Sequence, residues 1–414
     1  MSILNRHPSK TKVNSTEKPF PREHLDFLDG IRGLASFYVV LHHIWLTAYP
    51  NFPYNANCQI CRSSPPLTSW LSWGHLAVAV FIVVSGFSLT LGPQLRGDRL
   101  LNGFGTYIVR RAFRLIPPYW FALAISCIVI AFWTGSATGK IVNTKAVLIH
   151  ALLLQDVIDS PKPNGAFWSI AIEWQIYFIF PLLLLIWRKA GGIAMVSITT
   201  IIVVSTYLIG SNVTNWLSKL IYLSPQFLAL FAFGSAAAHV MVAKGGMASI
   251  SWTSIGYILL VGTIFSLWWW PRAAIESTHF FWIDLLAGAA TATLLAGFTQ
   301  RPESIIARTL ASRVPHWLGQ SSYSLYLIHV PVLETLYFCV IVKLSDANNI
   351  RFIWLLLLVT PIAIFVSRLF WWAFERPFIR YRSIKELLAI LQVTGKNDIL
   401  VTNLAWLRFF IKKD

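Results

Sequence analysis

Charge is what this chain of 414 residues has least of: Asp, Glu, Lys and Arg make up 12% of it, where a soluble domain carries about 25%. With 56% hydrophobic residues, there is too little polar side chain to cover a globular surface and too much apolar side chain for a disordered one. Acidic residues are scarcest, 17 Asp plus Glu against 34 Lys plus Arg, for a formal net charge of +17. Cysteine is rare too: the 4 present show no metal-ligand spacing, and no metal is expected. Cys127 and Cys339 fall in apolar stretches and read as packing, whereas Cys58 and Cys61 form a C-x-x-C that an oxidising compartment could close. Also missing are a Gly-rich phosphate loop, an H-E-x-x-H, a G-x-S-x-G and any internal repeat. These absences argue against P-loop, zincin and α/β-hydrolase chemistry, and against transporters built from repeated halves.

What is present is a series of long apolar runs. A span needs roughly 20 apolar residues to cross a hydrocarbon core of about 30 Å. Ten such stretches are expected, near 29–49, 74–92, 117–135, 167–187, 192–210, 219–243, 252–270, 280–298, 321–343 and 352–373. The run from Thr144 to Val157 is too short and reads as a re-entrant or surface helix. The fold class is therefore all-α, a polytopic transmembrane bundle of about ten spans, since membrane strands give short alternating segments instead. With the N-terminus inside, the inner connections and tails carry 24 Lys and Arg and the outer ones 8. That bias places both termini in the cytosol and accounts for the excess positive charge without nucleic acid. The first 28 residues are polar and mixed in charge, unlike a signal or transit peptide. The expected organisation is a cytosolic tail over 1–25, a membrane domain over 26–380 and a cytosolic tail over 381–414. Within the latter, Leu404 to Ile411 reads as an interfacial helix.

Ionisable groups inside spans are expensive and are functional candidates by default. Arg32 and His43 are eleven residues apart on one face of the first span, about 16 Å along its axis. Arg111 and Arg114 share a face just before a span starting at Pro117; arginine forks suit phosphate oxygens, although basic residues at an inner span end also serve topology. Ser169, Glu173 and Tyr177 recur every four residues as a polar stripe on an otherwise apolar helix. Glu173 and His43 fall at matching depths, so a carboxylate–imidazole pair is expected, catalytic or structural. Ser322, Tyr326 and His329 also share a face. Glu375 at the end of the last span reads as structural, pairing with Arg114 or Arg376, while Asp284 and Glu334 read as helix–helix hydrogen-bonding groups.

Six motifs in order give these residues a context. They are Leu28-Asp29-Gly30-Ile31-Arg32-Gly33-Leu34-Ala35 with His43, the run Phe81 to Phe87 with Ser85-Gly86, and Arg111-x-x-Arg114 with Pro117. Trp168-Ser169 with Glu173 and Tyr177, Ser322 to His329, and Glu375-x-Pro377 complete the set. Together they resemble the acyltransferase-3 family of integral membrane O-acyltransferases, over residue 26 to about 380. The departure is His42, where an apolar or aromatic residue is usual. The resemblance implies ten core helices, cytosolic termini, and transfer of an acyl group, often acetyl, from coenzyme A to a hydroxyl on a sugar, glycan, lipid or natural product. It also implies that Arg32, Arg111 and Arg114 stand at the family's arginine positions and His43, Glu173 and His329 at its other polar ones.

Acyl transfer needs a base for the hydroxyl and a site that excludes water. The expected assignment is His43 as base, oriented by Glu173, with His329 as a further catalytic residue. Arg32, Arg111 and Arg114 would hold the coenzyme A phosphates of an acyl-CoA co-substrate, expected to be acetyl-CoA. Ser85, Tyr177 and Tyr326 would bind substrate. The expected partners are the lipid bilayer and a small-molecule or glycan acceptor. The rival reading is a proton-coupled transporter, because buried His and Glu also relay protons.

Overall fold

The computed structural model describes residues 25–49, 67–94, 100, 103–134, 142–213, 221, 223–242, 249–270 and 279–380. Cys58, Cys61 and the expected interfacial helix beyond residue 403 lie outside them, as do nearly all of both tails. Regular structure among the described residues is helical throughout. In chain order the helices are α1 (Asp26–Ala48), α2 (His75–Gln94), α3 (Gly103–Val129), α4 (Thr144–Ala151), α5 (Trp168–Asn212), α6 (Gln226–Val242), α7 (Trp252–Trp269) and α8 (Phe280–Gln300). There follow α9 (Ile305–Leu310), α10 (Arg313–Gln320), α11 (Ser322–Cys339), α12 (Asn348–Trp354), α13 (Thr360–Phe370) and α14 (Arg376–Arg380). The last three join through wide turns at Leu355–Val359 and Trp371–Glu375 into one continuous rod.

Seven helical segments among the described residues are long and apolar enough to cross a membrane, with Gln226–Met241 a shorter apolar helix. Two of the expected stretches share a single element, α5. It breaks at Gly191, whose φ of 84° is open to a residue without a Cβ and kinks the chain there. One expected boundary is wrong. Pro117 does not begin α3; the helix starts at Gly103 and runs through Pro117 and Pro118, so that Arg111 and Arg114 are internal helical residues. Prolines are tolerated inside such helices when neighbours satisfy the freed backbone, and Tyr323 Oη donates to Leu115 O beside them, at 2.9 Å.

The short helix α4 and the turns after it fold in against α3 and α11. Their backbone is satisfied by side chains. Tyr119 Oη donates to His150 O at 2.9 Å, Trp120 Nε1 to Ala151 O at 2.9 Å and Gln155 Nε2 to Phe167 O at 3.0 Å. Asn164 accepts from Ala166 N at 3.0 Å and donates to Leu327 O at 3.2 Å.

The principal core lies among α1, α2, α3, α5, α6 and α11, with Phe87, Tyr119, Phe167, Phe180, Phe227 and Phe231 wholly enclosed. A second cluster joins the C-terminal half of α1 to α11, α12 and α13. One very close crossing is between α2 and α6. A Cβ on Gly86 would stand 2.1 Å from Phe231 O, and one on Gly234 1.9 Å from Val83 O. Small residues allow backbones this close, which is how helices associate where the solvent offers no hydrophobic drive. Gly234→Val should therefore force α2 and α6 apart and cost about 3 kcal/mol, read as a lowered thermal midpoint of the purified protein in detergent.

Candidate active site: an arginine-lined cavity and a buried imidazole pair

Among the described residues, α1, α2, α3, α5 and α11 enclose a cavity of about 140 Å³. Seven of the nine site residues expected from sequence line it: Arg32, Ser85, Arg111, Arg114, Glu173, Tyr177 and Tyr326. The stripe Ser169, Glu173, Tyr177 faces it as a unit, and Ser322 and Tyr326 of α11 close the opposite wall. Sequence reasoning passed over Ser88 and Tyr323, which also line it. Ser88 was detectable, since it lies three residues after Ser85 and so on the same helix face.

Each polar group is held by another helix or turn. Arg32 Nη2 donates to Ser88 Oγ at 2.6 Å and Arg32 Nη1 to Asp29 Oδ1 at 2.9 Å. Glu173 Oε1 accepts from Ser85 Oγ and from Tyr177 Oη, both at 2.7 Å. Arg111 Nε is buried and without a partner among the described residues, a donor left over for a ligand. Three guanidinium groups against one carboxylate make the lining attractive to anions, and guanidinium forks fit phosphate oxygens.

Tyr326 lines the cavity. Its hydroxyl donates to Ala166 O at 2.6 Å and meets Ser169 Oγ at 2.7 Å, so α11 is pinned to the start of α5. Glu375 supports the same helix from α14's side: its Oε2 accepts from Ser324 N at 3.1 Å and from Ser324 Oγ. That partner replaces the expected one, Arg114 or Arg376, because the first turn of α11 presents free N–H groups to the carboxylate.

Behind Tyr326 lies His329, with ring centroids 5.9 Å apart, and His43 follows with centroids 4.8 Å from His329. The expected His43–Glu173 pair is not formed. The two residues share neither a hydrogen bond nor an ion pair among the described residues, since Glu173 is engaged by Ser85 and Tyr177 and His43 turns to His329. Comparing depths ignored where each helix points its side chain.

The imidazole contacts fix which nitrogens carry protons. A carbonyl can only accept, so His329 Nδ1, 2.8 Å from Tyr326 O, is an N–H, and so is His43 Nδ1, 3.0 Å from Val39 O. In the neutral rings both Nε2 atoms are then lone pairs. His43 Nδ1–H is shared between Val39 O and His329 Nε2, the latter at 3.3 Å. His43 Nε2 is left as the free base. His42 points elsewhere, with Nδ1 2.8 Å from Leu71 O.

Helices of this length and apolarity define a multi-pass integral membrane protein, with a cation-lined cavity among its helices. The chain belongs to the acyltransferase-3 family, whose acyltransferase domain matches residues 25–374. It is 23% identical over 340 residues to the peptidoglycan O-acetyltransferase OatA of Listeria monocytogenes, across 76% of this chain and 50% of that one. To the O-acetyltransferase OatA of Staphylococcus aureus it is 24% identical over 344 residues, across 77% and 52%. The chain thus spans about half the length of the curated relatives it matches. No solved structure matches it.

Tyr326→Phe leaves the Ala166 carbonyl and the Ser169 hydroxyl buried without their partner, and is expected to cost about 1–3 kcal/mol. Ser169→Ala, which leaves the Ala166 bond intact, should cost less. Thermal midpoints of the two variants in detergent provide the comparison.

Proposed function

We propose that this protein is a membrane O-acyltransferase that moves an acyl group, most simply acetyl, from acyl-CoA to a hydroxyl of a sugar-like or glycan acceptor. The observation that carries this reading is a cavity lined by three phosphate-type donors, with the His329–His43 imidazole pair packed next to its lining residue Tyr326. Along α1, Arg32 and His43 stand about 16 Å apart, room for a phosphorylated carrier with its reactive end remote from its phosphates. The O-acetyltransferase names of the relatives agree with the reaction type.

In this reading the bundle crosses the membrane ten times with both termini in the cytosol, following the 24 to 8 distribution of basic residues. The arginine end then faces the cytosolic pool of acyl-CoA. Arg32, Arg111 and Arg114 hold the phosphates, and Ser85, Glu173 and Tyr177 line the passage for the carrier's uncharged amide arm. His43 Nε2 takes the proton of the acceptor hydroxyl as its oxygen attacks the thioester carbonyl. The C–S bond breaks, the thiolate recovers that proton from the imidazolium, and ester and free thiol result. His329 accepts from His43 Nδ1–H and keeps the reacting nitrogen deprotonated, a role expected of Glu173 from sequence. Three arginines lining one cavity suit phosphate oxygens and have no comparable use in proton coupling.

His43→Ala should lower transfer by about 100-fold to 10,000-fold while leaving the thermal midpoint and membrane insertion unchanged, assayed as acetyl-CoA consumption by protein in nanodiscs. Arg32→Ala should weaken equilibrium binding of coenzyme A roughly tenfold or more. Coenzyme A binding that is absent, or indifferent to Arg32, would sink the donor assignment.

A further inference from the structure

A second polar cluster lies outside the cavity just described. His75 Nε2 is 2.9 Å from Asp284 Oδ2, and Gln226 Nε2 donates to the same oxygen at 3.1 Å. Asp284 has no exposed side-chain surface, and its Oδ1 is buried with no partner among the described residues. A carboxylate so enclosed is costly as mere packing, since apolar residues would fill the place without the desolvation penalty. What it does achieve is to fix His75. The acceptor oxygen requires N–H at Nε2, and in the neutral ring Nδ1 is then a lone pair, on a side chain that is 25% exposed. Among the described residues no hydrogen bond occupies Nδ1; Trp168 stacks on the ring at 5.5 Å and Phe280 leans on it at 4.6 Å.

The position of the cluster matters. On α2 the cavity is lined by Val78, Ile82, Ser85 and Leu89. His75 lies three residues before Val78, on the same face and about 4.5 Å further along the axis. Trp168, stacked on it, precedes Ser169, which bonds the hydroxyl of the cavity-lining Tyr326. The dyad therefore continues the cavity-lining face of α2 toward its N-terminus, away from Ser88 and its partner Arg32. Trp73 sets its ring edge-on to Phe280 with centroids 6.4 Å apart, so aromatic surface borders the free nitrogen.

We propose that His75, oriented by Asp284 and Gln226, is an acceptor-binding residue. Its Nδ1 accepts a hydrogen bond from one hydroxyl of a polyhydroxylated sugar ring whose C–H face packs on Trp73 and Phe280, an aromatic site with one placed polar group. This rests on the O-acyltransferase reading for the nature of the acceptor, and assigns His75 a hydroxyl other than the one deprotonated by His43.

The test is equilibrium binding of N-acetylglucosamine to the full-length protein in nanodiscs, followed by saturation-transfer NMR with no donor added, beside a separate titration with coenzyme A. Saturable sugar binding is expected in the wild type, weakened at least tenfold by His75→Gln and to a smaller extent by Asp284→Asn, with coenzyme A binding within twofold of wild type in both. Absence of sugar binding in the wild type, or equal binding in the variants, overturns the proposal. Parallel loss of sugar and coenzyme A binding in both variants also overturns it, because a structural pair would act that way. Should sugar binding depend on His75 while the wild type fails to bind coenzyme A, the acceptor site stands and the donor assignment falls.

Discussion

A polar group enclosed by apolar helices must find its partner inside the protein, and that requirement organises this molecule. Arg32 is answered by Asp29 and Ser88, Glu173 by Ser85 and Tyr177, Glu375 by Ser324, Asp284 by His75 and Gln226. Each answer except Asp29, one helical turn from Arg32 on α1, and Tyr177, one turn from Glu173 on α5, comes from a different helix. The polar residues thus act as registers that set how α1, α2, α5, α6, α8, α11 and α14 slide and turn against one another. The groups left without answers are correspondingly informative: Arg111, which lines the cavity, has its Nε unpartnered, and His43 Nε2 and His75 Nδ1 have no hydrogen bond among the described residues.

The imidazole pair shows how backbone geometry can prepare chemistry. Two carbonyls on helical turns, Val39 O and Tyr326 O, each claim a ring nitrogen three or four residues onward, and in doing so dictate the tautomer of both rings. No charged partner is required to expose a basic nitrogen. Such an arrangement suits a dry site, where a second carboxylate would carry a heavy desolvation cost, and explains why Glu173 can stay with the hydroxyls of Ser85 and Tyr177.

Much of this was legible from periodicity. Ser169, Glu173 and Tyr177 announce a stripe because a helix repeats every 3.6 residues, and that stripe faces the cavity. Arg32, Arg111 and Arg114 stood out because charge is so rare elsewhere. Harder to read was anything set by rotation between helices: equal depth suggested His43 with Glu173, but depth does not say which way a side chain points. The start of α3 was misplaced because Pro117-Pro118 reads as a beginning when only the chain is considered; the Tyr323 hydroxyl near Leu115 O is 208 residues away. His75 went unnoticed for a similar reason. At a span edge it resembles an ordinary interfacial residue, and only the convergence of Gln226 and Asp284 gives it a defined role.

The segment that follows α4 carries a temporal consequence. Its carbonyls and amides depend on Tyr119, Trp120 and Gln155 nearby, but Asn164 and Ala166 meet their long-range partners only at Leu327 and Tyr326. A ribosome reaches those residues after threading most of the chain into the bilayer. Until then the Ala166 carbonyl and the Asn164 side chain wait without those partners in a half-built bundle, exposed to quality-control proteases. The floor of the site is thus the last part to set, and a chain truncated before α11 would be expected to be degraded early and not to persist as an inactive fragment.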